Sequence, residues 1–272
     1  MHEIEWHSGP VATNDDPPIR TRREPPAFRR ARVDSTEHLS PHMLRVVLVG
    51  EGLAGFAIES PASSVRLLLP PDDGDELVMP TWTGNQFELP DGRRAPIRTF
   101  TPRYFDPEQP ALTLDVVLHD HGAATGWARR AVVGDEVAIS GPGRSEQLAA
   151  DARSYLLVGD ESALPAIGQL LEALPADHVV DVHVEVRGAD ARFELPPHPN
   201  TSVNWHDAAT EGAPGDSMVA VVTAMSELPD AVWVAGEAAA VQRIRKYLFD
   251  ECGRSRDTVT ARGYWKLGRA AT

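Results

Sequence analysis

Ser154-Tyr155-Leu156-Leu157-Val158-Gly159-Asp160-Glu161-Ser162-Ala163-Leu164-Pro165-Ala166-Ile167 is the stretch at which the chain changes architecture. Tyr155 to Val158 is continuously apolar and stops at Gly159, as a strand buried on both faces does. A helical pattern follows from Ala163 to Leu174, with Pro165 in the first turn, where a missing N–H costs nothing. Val180, Val182, Val184 and Val186 mark the next strand. Val232-Trp233-Val234-Ala235-Gly236 then repeats the strand-to-glycine design ahead of a long helix, Ala238 to Glu251. Strands alternating with helices predict βαβ units on a Rossmann-like parallel sheet.

Upstream, from Phe28 to Ser140, the rhythm is different. Leu44-Arg45-Val46-Val47-Leu48-Val49 and Val65-Arg66-Leu67-Leu68-Leu69 are short β-rich runs closed by Gly or Pro. Leu112, Leu114, Val116 and Leu118 alternate with Thr113, Asp115, Val117 and His119, the period of a half-buried strand. Turn clusters such as Pro70-Pro71-Asp72-Asp73-Gly74 and Pro90-Asp91-Gly92 separate the runs, and one helix, Thr125 to Ala131, interrupts them. The reading is an antiparallel Greek-key β-barrel over residues 25–148, an α/β domain over 149–272, and a poorly ordered lead over 1–24.

Composition bounds the function. The 272 residues carry 26 Lys+Arg against 40 Asp+Glu, a net charge of −14, which argues against nucleic acid or an anionic membrane as partner. Cys252 is the single cysteine, so neither a disulfide framework nor a cysteine metal site is expected, and ten scattered histidines suggest no structural metal. No run approaches the roughly 20 apolar residues of a membrane span, and the N-terminus lacks a signal-peptide pattern. A cytoplasmic location and a monomer are the default expectations. Arg20, Arg22, Arg23, Arg29, Arg30 and Arg32 face Glu24 alone, a basic stretch that reads either as a solvated entry to the first strand or as a guide for an anionic ligand.

Two short motifs carry chemistry. In Arg98-Thr99-Phe100-Thr101 the Arg suits a diphosphate, the aromatic a planar ring, and the Thr a ring nitrogen. Gly122-Ala123-Ala124-Thr125-Gly126-Trp127 is a small-residue helix start whose N–H groups suit a phosphate. Singly, each also reads as ordinary strand or ordinary capped helix. Together they fit the two sides of one cofactor diphosphate.

Arg98-Thr99-Phe100-Thr101 resembles the Arg-x-Tyr-Thr/Ser flavin motif of the ferredoxin-reductase superfamily. Leu114 to His119 leading into Gly122 to Ala128 resembles the siderophore-interacting proteins, the ViuB-like ferric-siderophore reductases. So do Ser40 to Val46, Gly159 to Ile167, Ala235-Gly236-Glu237 and Gly263-Tyr264-Trp265, in family order across Phe28 to Gly268. The resemblance implies an FAD-binding barrel followed by a nicotinamide-type α/β domain. It places Arg98 on the FAD diphosphate, Phe100 against the isoalloxazine and Thr101 at its edge. Gly122, Ala123, Ala124 and Thr125 would cap the diphosphate, with His119 beside the flavin. Thr99, Asp115 and Trp127 complete the implied cofactor set. Phe100 departs from the family's Tyr, which keeps ring stacking and loses the phenolic hydrogen bond.

The implied reaction is reduction of a ferric siderophore. Hard anionic oxygen ligands hold Fe(III) far better than Fe(II), so one electron releases the metal. FAD accepts a hydride and passes on single electrons. Anionic ferric complexes call for positive charge, and the resemblance carries a substrate role to Arg66, Arg262, Trp265 and Lys266, with Arg103 and Arg130 as weaker candidates. Each also reads as a solvated charge or, for Trp265, a core anchor. Hydroxamate and catecholate ligands are not separated.

The donor side is implied at Gly159, Asp160, Glu161, Ser162, Gly236 and Glu237. No G-x-G-x-x-G follows the strand, and two carboxylates at the turn would repel a pyrophosphate. NADH or NADPH is the expected donor and ferredoxin the alternative. Arg187 suits a 2′-phosphate and Asp190 a free ribose hydroxyl. Two other functions stay open: a flavin reductase for a quinone or free flavin, and a non-enzymatic siderophore-binding protein.

Overall fold

Among the described residues nine strands precede residue 141: β1 (Arg29–Ser40), β2 (Met43–Val49), β3 (Val65–Leu68), β4 (Thr81–Trp82), β5 (Phe87–Glu88), β6 (Ile97–Phe100), β7 (Pro102–Asp106), β8 (Ala111–Val117) and β9 (Glu136–Ser140), with α1 (Ala123–Arg130) between the last two. The structure is a computed structural model describing residues 25–71, 76–119, 122–143 and 148–268. The expected lead over 1–24, with Arg20, Arg22 and Arg23, lies outside the described residues, as does Asp72-Asp73-Gly74 of the first turn cluster.

Seven of these strands form one sheet in the order β6-β3-β9-β1-β2-β8-β7, and every pairing in it is antiparallel. β6 and β7 are its two edges, yet only Thr101 separates them in the chain. Flat, those edges would stand roughly 29 Å apart at about 4.8 Å per strand. A two-residue step reaches only about 7 Å. The sheet must therefore curl until its edges meet, and β9 inserted between β3 and β1 gives the Greek-key order. Val46, Leu48, Val65, Leu67, Leu112, Leu114 and Ile139 fill the interior, which Trp127 and Ala128 of α1 join.

The half-buried reading of β8 is corrected on its outer side. Leu112, Leu114 and Val116 face inward as alternation predicts, but Thr113 and Asp115 are buried too. The barrel's outer surface there docks on the second unit: Met43, Ala62 and Val117 pack into the same apolar cluster as Leu164 and Ile167.

The second unit holds β10 (Ser154–Asp160), α2 (Leu164–Ala173), β11 (Val179–Val186), β12 (Thr201–Asp207), α3 (Asp216–Ala224), β13 (Ala231–Glu237), α4 (Ala238–Lys246) and β14 (Val259–Trp265). Its sheet is wholly parallel in the order β12-β11-β10-β13-β14. α2 covers one face, and α3 and α4 cover the other. This is the doubly wound arrangement, and its strand order reverses between β10 and β13.

Three elements escape the sequence reading. β12 is a polar edge strand with little apolar signal, α3 is short, and β14 shows only its terminal Gly263-Tyr264-Trp265. The last helix reaches Glu251 as expected, α4 passing at Lys246 into a wider π-helical turn over Tyr247–Glu251, after which the Cys252 N–H donates to the Tyr247 carbonyl at 3.0 Å. Arg29, Arg30 and Arg32 serve the barrel itself, Arg29 on the Gly52 and Ala54 carbonyls and the other two on Glu136.

Candidate functional site

The β3–β6 ribbon carries the first motif. Its register sets Leu67 opposite Arg98, Arg66 opposite Thr99 and Val65 opposite Phe100. Opposed residues share a face of an antiparallel pair, so Arg98 and Phe100 lie on one side, Arg66 and Thr99 on the other. Phe100 packs partly buried on the barrel core, whereas Thr99 is exposed. Arg98 is half-buried and spends one N–H on the Ile97 carbonyl at 2.8 Å. Arg66 is also half-buried, and among the described residues no carboxylate pairs with either guanidinium. Burial pushes both pKa values down, the signature of cations desolvated without an anion.

The α1 turn supplies the second motif. Gly122 sits at φ +109°, and a Cβ there would come 3.3 Å from the His119 ring, so the glycine lets imidazole and helix start close on each other. Among the described residues no side chain caps α1, which leaves the amides of Ala123 and Ala124 at the mouth of the turn. Thr125 does not reach outward. Its buried hydroxyl donates to the Val117 carbonyl at 3.3 Å and accepts from the His119 N–H at 3.4 Å, tying strand to helix. The buried Trp127 indole N–H has no partner among the described residues.

Asp115 faces elsewhere. It takes a bidentate pair from Arg45, Nε to Oδ1 at 2.8 Å and Nη2 to Oδ2 at 2.9 Å, with Tyr104 beside it. Arg103, a weaker substrate candidate in the sequence, is buried in a bidentate pair with Glu172 of α2 and fixes the two units together. Neither side chain is free for a ligand.

Acid-free half-buried arginines, uncapped helix amides and an orphaned indole N–H are a donor set for an anionic, oxygen-rich group bearing a planar ring. FAD is such a group, and the residues present fit it.

At the other unit's switch point, the β10 and β13 ends bring Gly159-Asp160 beside Gly236-Glu237. Asp160 is buried. Its Oδ1 accepts from the Ser162 N–H at 2.9 Å and hydroxyl at 2.5 Å, and its Oδ2 from the Glu237 N–H at 2.9 Å and the Trp265 indole at 2.7 Å. Burial pushes this carboxyl up, against the downward pull of those hydrogen bonds. Glu237 caps α4 through the Ala239 and Ala240 N–H groups at 2.6 and 3.0 Å. Glu161 accepts from the Arg187 N–H and Nε at 2.8 and 3.0 Å; Nη2 approaches its other oxygen at 2.9 Å without hydrogen-bond alignment. Arg187 also donates to the Leu118 carbonyl at 2.9 Å, so the side chain suited to a 2′-phosphate is engaged within the fold. Asp190 meets His42 at 3.2 Å.

β14 links the two regions. Tyr264 approaches the Thr101 hydroxyl at 3.5 Å, and Trp265 points to Asp160. Arg262 lies two residues before Tyr264 on this strand, and Lys266 follows exposed. The Trp265 indole bond, made to a buried carboxylate, is expected to contribute about 1.5–3 kcal/mol. Trp265→Phe should lower the urea midpoint accordingly with an unchanged m-value. A midpoint equal to that of the parent would mean that water replaces the indole.

Comparison with known proteins follows the same division. Residues 32–146 match the siderophore-interacting FAD-binding domain, and residues 152–268 match the siderophore-interacting protein domain. The NADPH-dependent ferric-chelate reductase of Escherichia coli is 31% identical over 88% of this chain and 92% of its own. The ferric vibriobactin reductase ViuB of Vibrio cholerae is 29% identical over 86% and 87%. The crystal structure of a siderophore utilization protein from T. fusca superposes with a TM-score of 0.79 at 30% identity, over 92% of this chain and 97% of that one. These matches, over a barrel joined to a doubly wound sheet, place this chain in the siderophore-interacting protein family, with an FAD-binding domain as its N-terminal half.

Proposed function

We propose that this chain is an FAD-dependent ferric-siderophore reductase acting in the cytoplasm, releasing Fe(II) with electrons from NADH or NADPH, or from ferredoxin. Two half-buried guanidiniums without acidic partners, on opposite faces of one ribbon, carry the reading. Opposite faces give each its own anion: Arg98 for the cofactor diphosphate and Arg66 for the ferric complex. The names of the Escherichia coli and Vibrio cholerae relatives point the same way.

In this reading the barrel, residues 25–148, holds FAD through Arg98, the Ala123 and Ala124 amides and the Phe100 ring, with Thr101 at the ring edge and His119 beside it. FAD, when bound, supplies hydride acceptance and single-electron delivery. Thr125 holds the turn that presents the α1 amides. Trp127 seats that helix in the barrel core. Arg66, with Arg262 of β14 and Lys266 just after it, draws the anionic complex toward the ring. Iron leaves once reduced, because its hard oxygen ligands hold the lower charge weakly.

The test is an anaerobic visible spectrum of the FAD-loaded protein given NADH, NADPH and then a ferric siderophore with a ferrous chelator. Bleaching by a pyridine nucleotide, followed by recovery of colour as the ferrous chelate appears, is the expected result. Equal turnover with quinones or free flavin would point to a general flavin reductase. Arg66→Ala should spare FAD and raise the KM for an anionic ferric siderophore roughly five-fold, the equivalent of about 1 kcal/mol. The effect should shrink at high salt. A KM unchanged at low salt would remove Arg66 from substrate capture.

A further inference from the structure

A doubly wound sheet takes up a dinucleotide at its switch point, where glycines admit the diphosphate and helix N-termini receive it. Here the chain's own atoms fill that place. A Cβ on Gly159 would fall 2.4 Å from the Ala163 Cβ, and one on Gly236 would fall 2.5 Å from Asp160 Oδ2. The space these glycines leave open is thus taken by protein. The Ser162 amide already faces the Asp160 carboxylate, and the Ala239 and Ala240 amides face Glu237. Among the described residues neither carboxylate is paired with a Lys or Arg. A diphosphate brought here would meet negative charge and donors already in use.

The adenosine side is equally closed. Arg187 is held by Glu161 and by the Leu118 carbonyl, across the junction with the barrel. Releasing it for a 2′-phosphate would leave the Glu161 carboxylate buried without its cation.

We propose that the chain recognises its pyridine nucleotide by the nicotinamide-ribose end alone, Asp160 and Glu237 standing in for the diphosphate at the switch point. NADH, NADPH and reduced nicotinamide mononucleotide then serve as equivalent donors. The C4–H bond of the dihydronicotinamide would break with its electron pair, leaving the pyridinium, and the hydride would pass to the bound flavin, which gains that hydrogen and two electrons. This rests on the reading that a pyridine nucleotide is the donor.

Two measurements on the FAD-loaded protein decide it. Calorimetric titration with ADP-ribose and 2′-phospho-ADP-ribose, which carry the diphosphate without nicotinamide, should show no binding tighter than about 1 mM. Anaerobic bleaching by the three donors should give KM values within about fivefold of one another. Saturable fragment binding tighter than that limit, or a wider spread of KM in favour of NADPH or NADH, overturns the proposal. A protein bleached by dithionite and by none of the three donors sinks the pyridine-nucleotide reading itself, and with it this proposal. Failure to release Fe(II) while the donors still bleach the flavin would count against the siderophore reading and leave this one standing.

Discussion

Arg98→Ala is expected to weaken FAD binding roughly ten- to 150-fold while leaving the cofactor-free protein about as stable as before. The two halves of that result have separate causes. A charge-assisted hydrogen bond to a diphosphate is worth about 1.5–3 kcal/mol, and alanine removes it. Without cofactor, Arg98 is half-buried, its pKa lowered by burial, and the Ile97 carbonyl is its one hydrogen-bond acceptor among the described residues. The folded protein gains little from a cation in that state, so its loss should move the cofactor-free melting temperature only slightly. Fluorescence titration with FAD and a paired thermal melt measure both. Full FAD affinity in the variant would show that the Arg98-Thr99-Phe100-Thr101 motif does not hold the diphosphate.

Arg45→Met should do the opposite: large loss of stability, little change in FAD affinity once folded. Asp115 is almost fully enclosed, and Arg45 satisfies both of its oxygens. The same pairing raises the Arg45 pKa, so the guanidinium stays charged. Removing the cation leaves a buried carboxylate uncompensated, at a cost of about 3–5 kcal/mol. For a chain of this size that corresponds to a melting-temperature fall of roughly 6–15 °C. Adding Asp115→Leu should recover most of it, because removing both partners removes the stranded charge. If the single variant melts like the parent but loses FAD, Asp115 belongs to the cofactor site after all.

The two variants separate side chains that look alike in the sequence. Arg45 and Arg98 both stand on barrel strands, each directly after an apolar residue. Only the neighbouring strand tells them apart: β8 brings Asp115 to Arg45, while β3 brings Leu67 to Arg98. Arg103 is a third case, removed from the substrate list because α2 presents Glu172 to it across the junction. A pairing between residues 69 or 70 positions apart leaves no local periodicity to read.

The strand-to-glycine units are the opposite case. Tyr155 to Gly159 and Val232 to Gly236 announce buried parallel strands by their unbroken apolar runs, because helices on both faces exclude water from both sides. The barrel strands are legible for a related reason, since one face lines a closed interior and alternation survives. On the outer face of β8, where Thr113 is buried and Asp115 is buried against Arg45, alternation no longer reports burial. β12 is hard to read because an edge strand has less need of apolar side chains.

From its sequence alone this chain determines an antiparallel barrel followed by a parallel α/β unit, and the order of motifs that marks its family. Those features are local: strand periodicity, glycine stops and short runs of residues adjacent in the chain. The tertiary structure alone decides which charges remain available. It engages Arg45, Arg103 and Arg187, leaves Arg66 and Arg98 half-buried without acids, and turns Asp160 and Glu237 onto their own helix amides. The reason is electrostatic. A side chain's charge is set by its type, but its freedom to meet a ligand depends on desolvation and on partners delivered by distant segments.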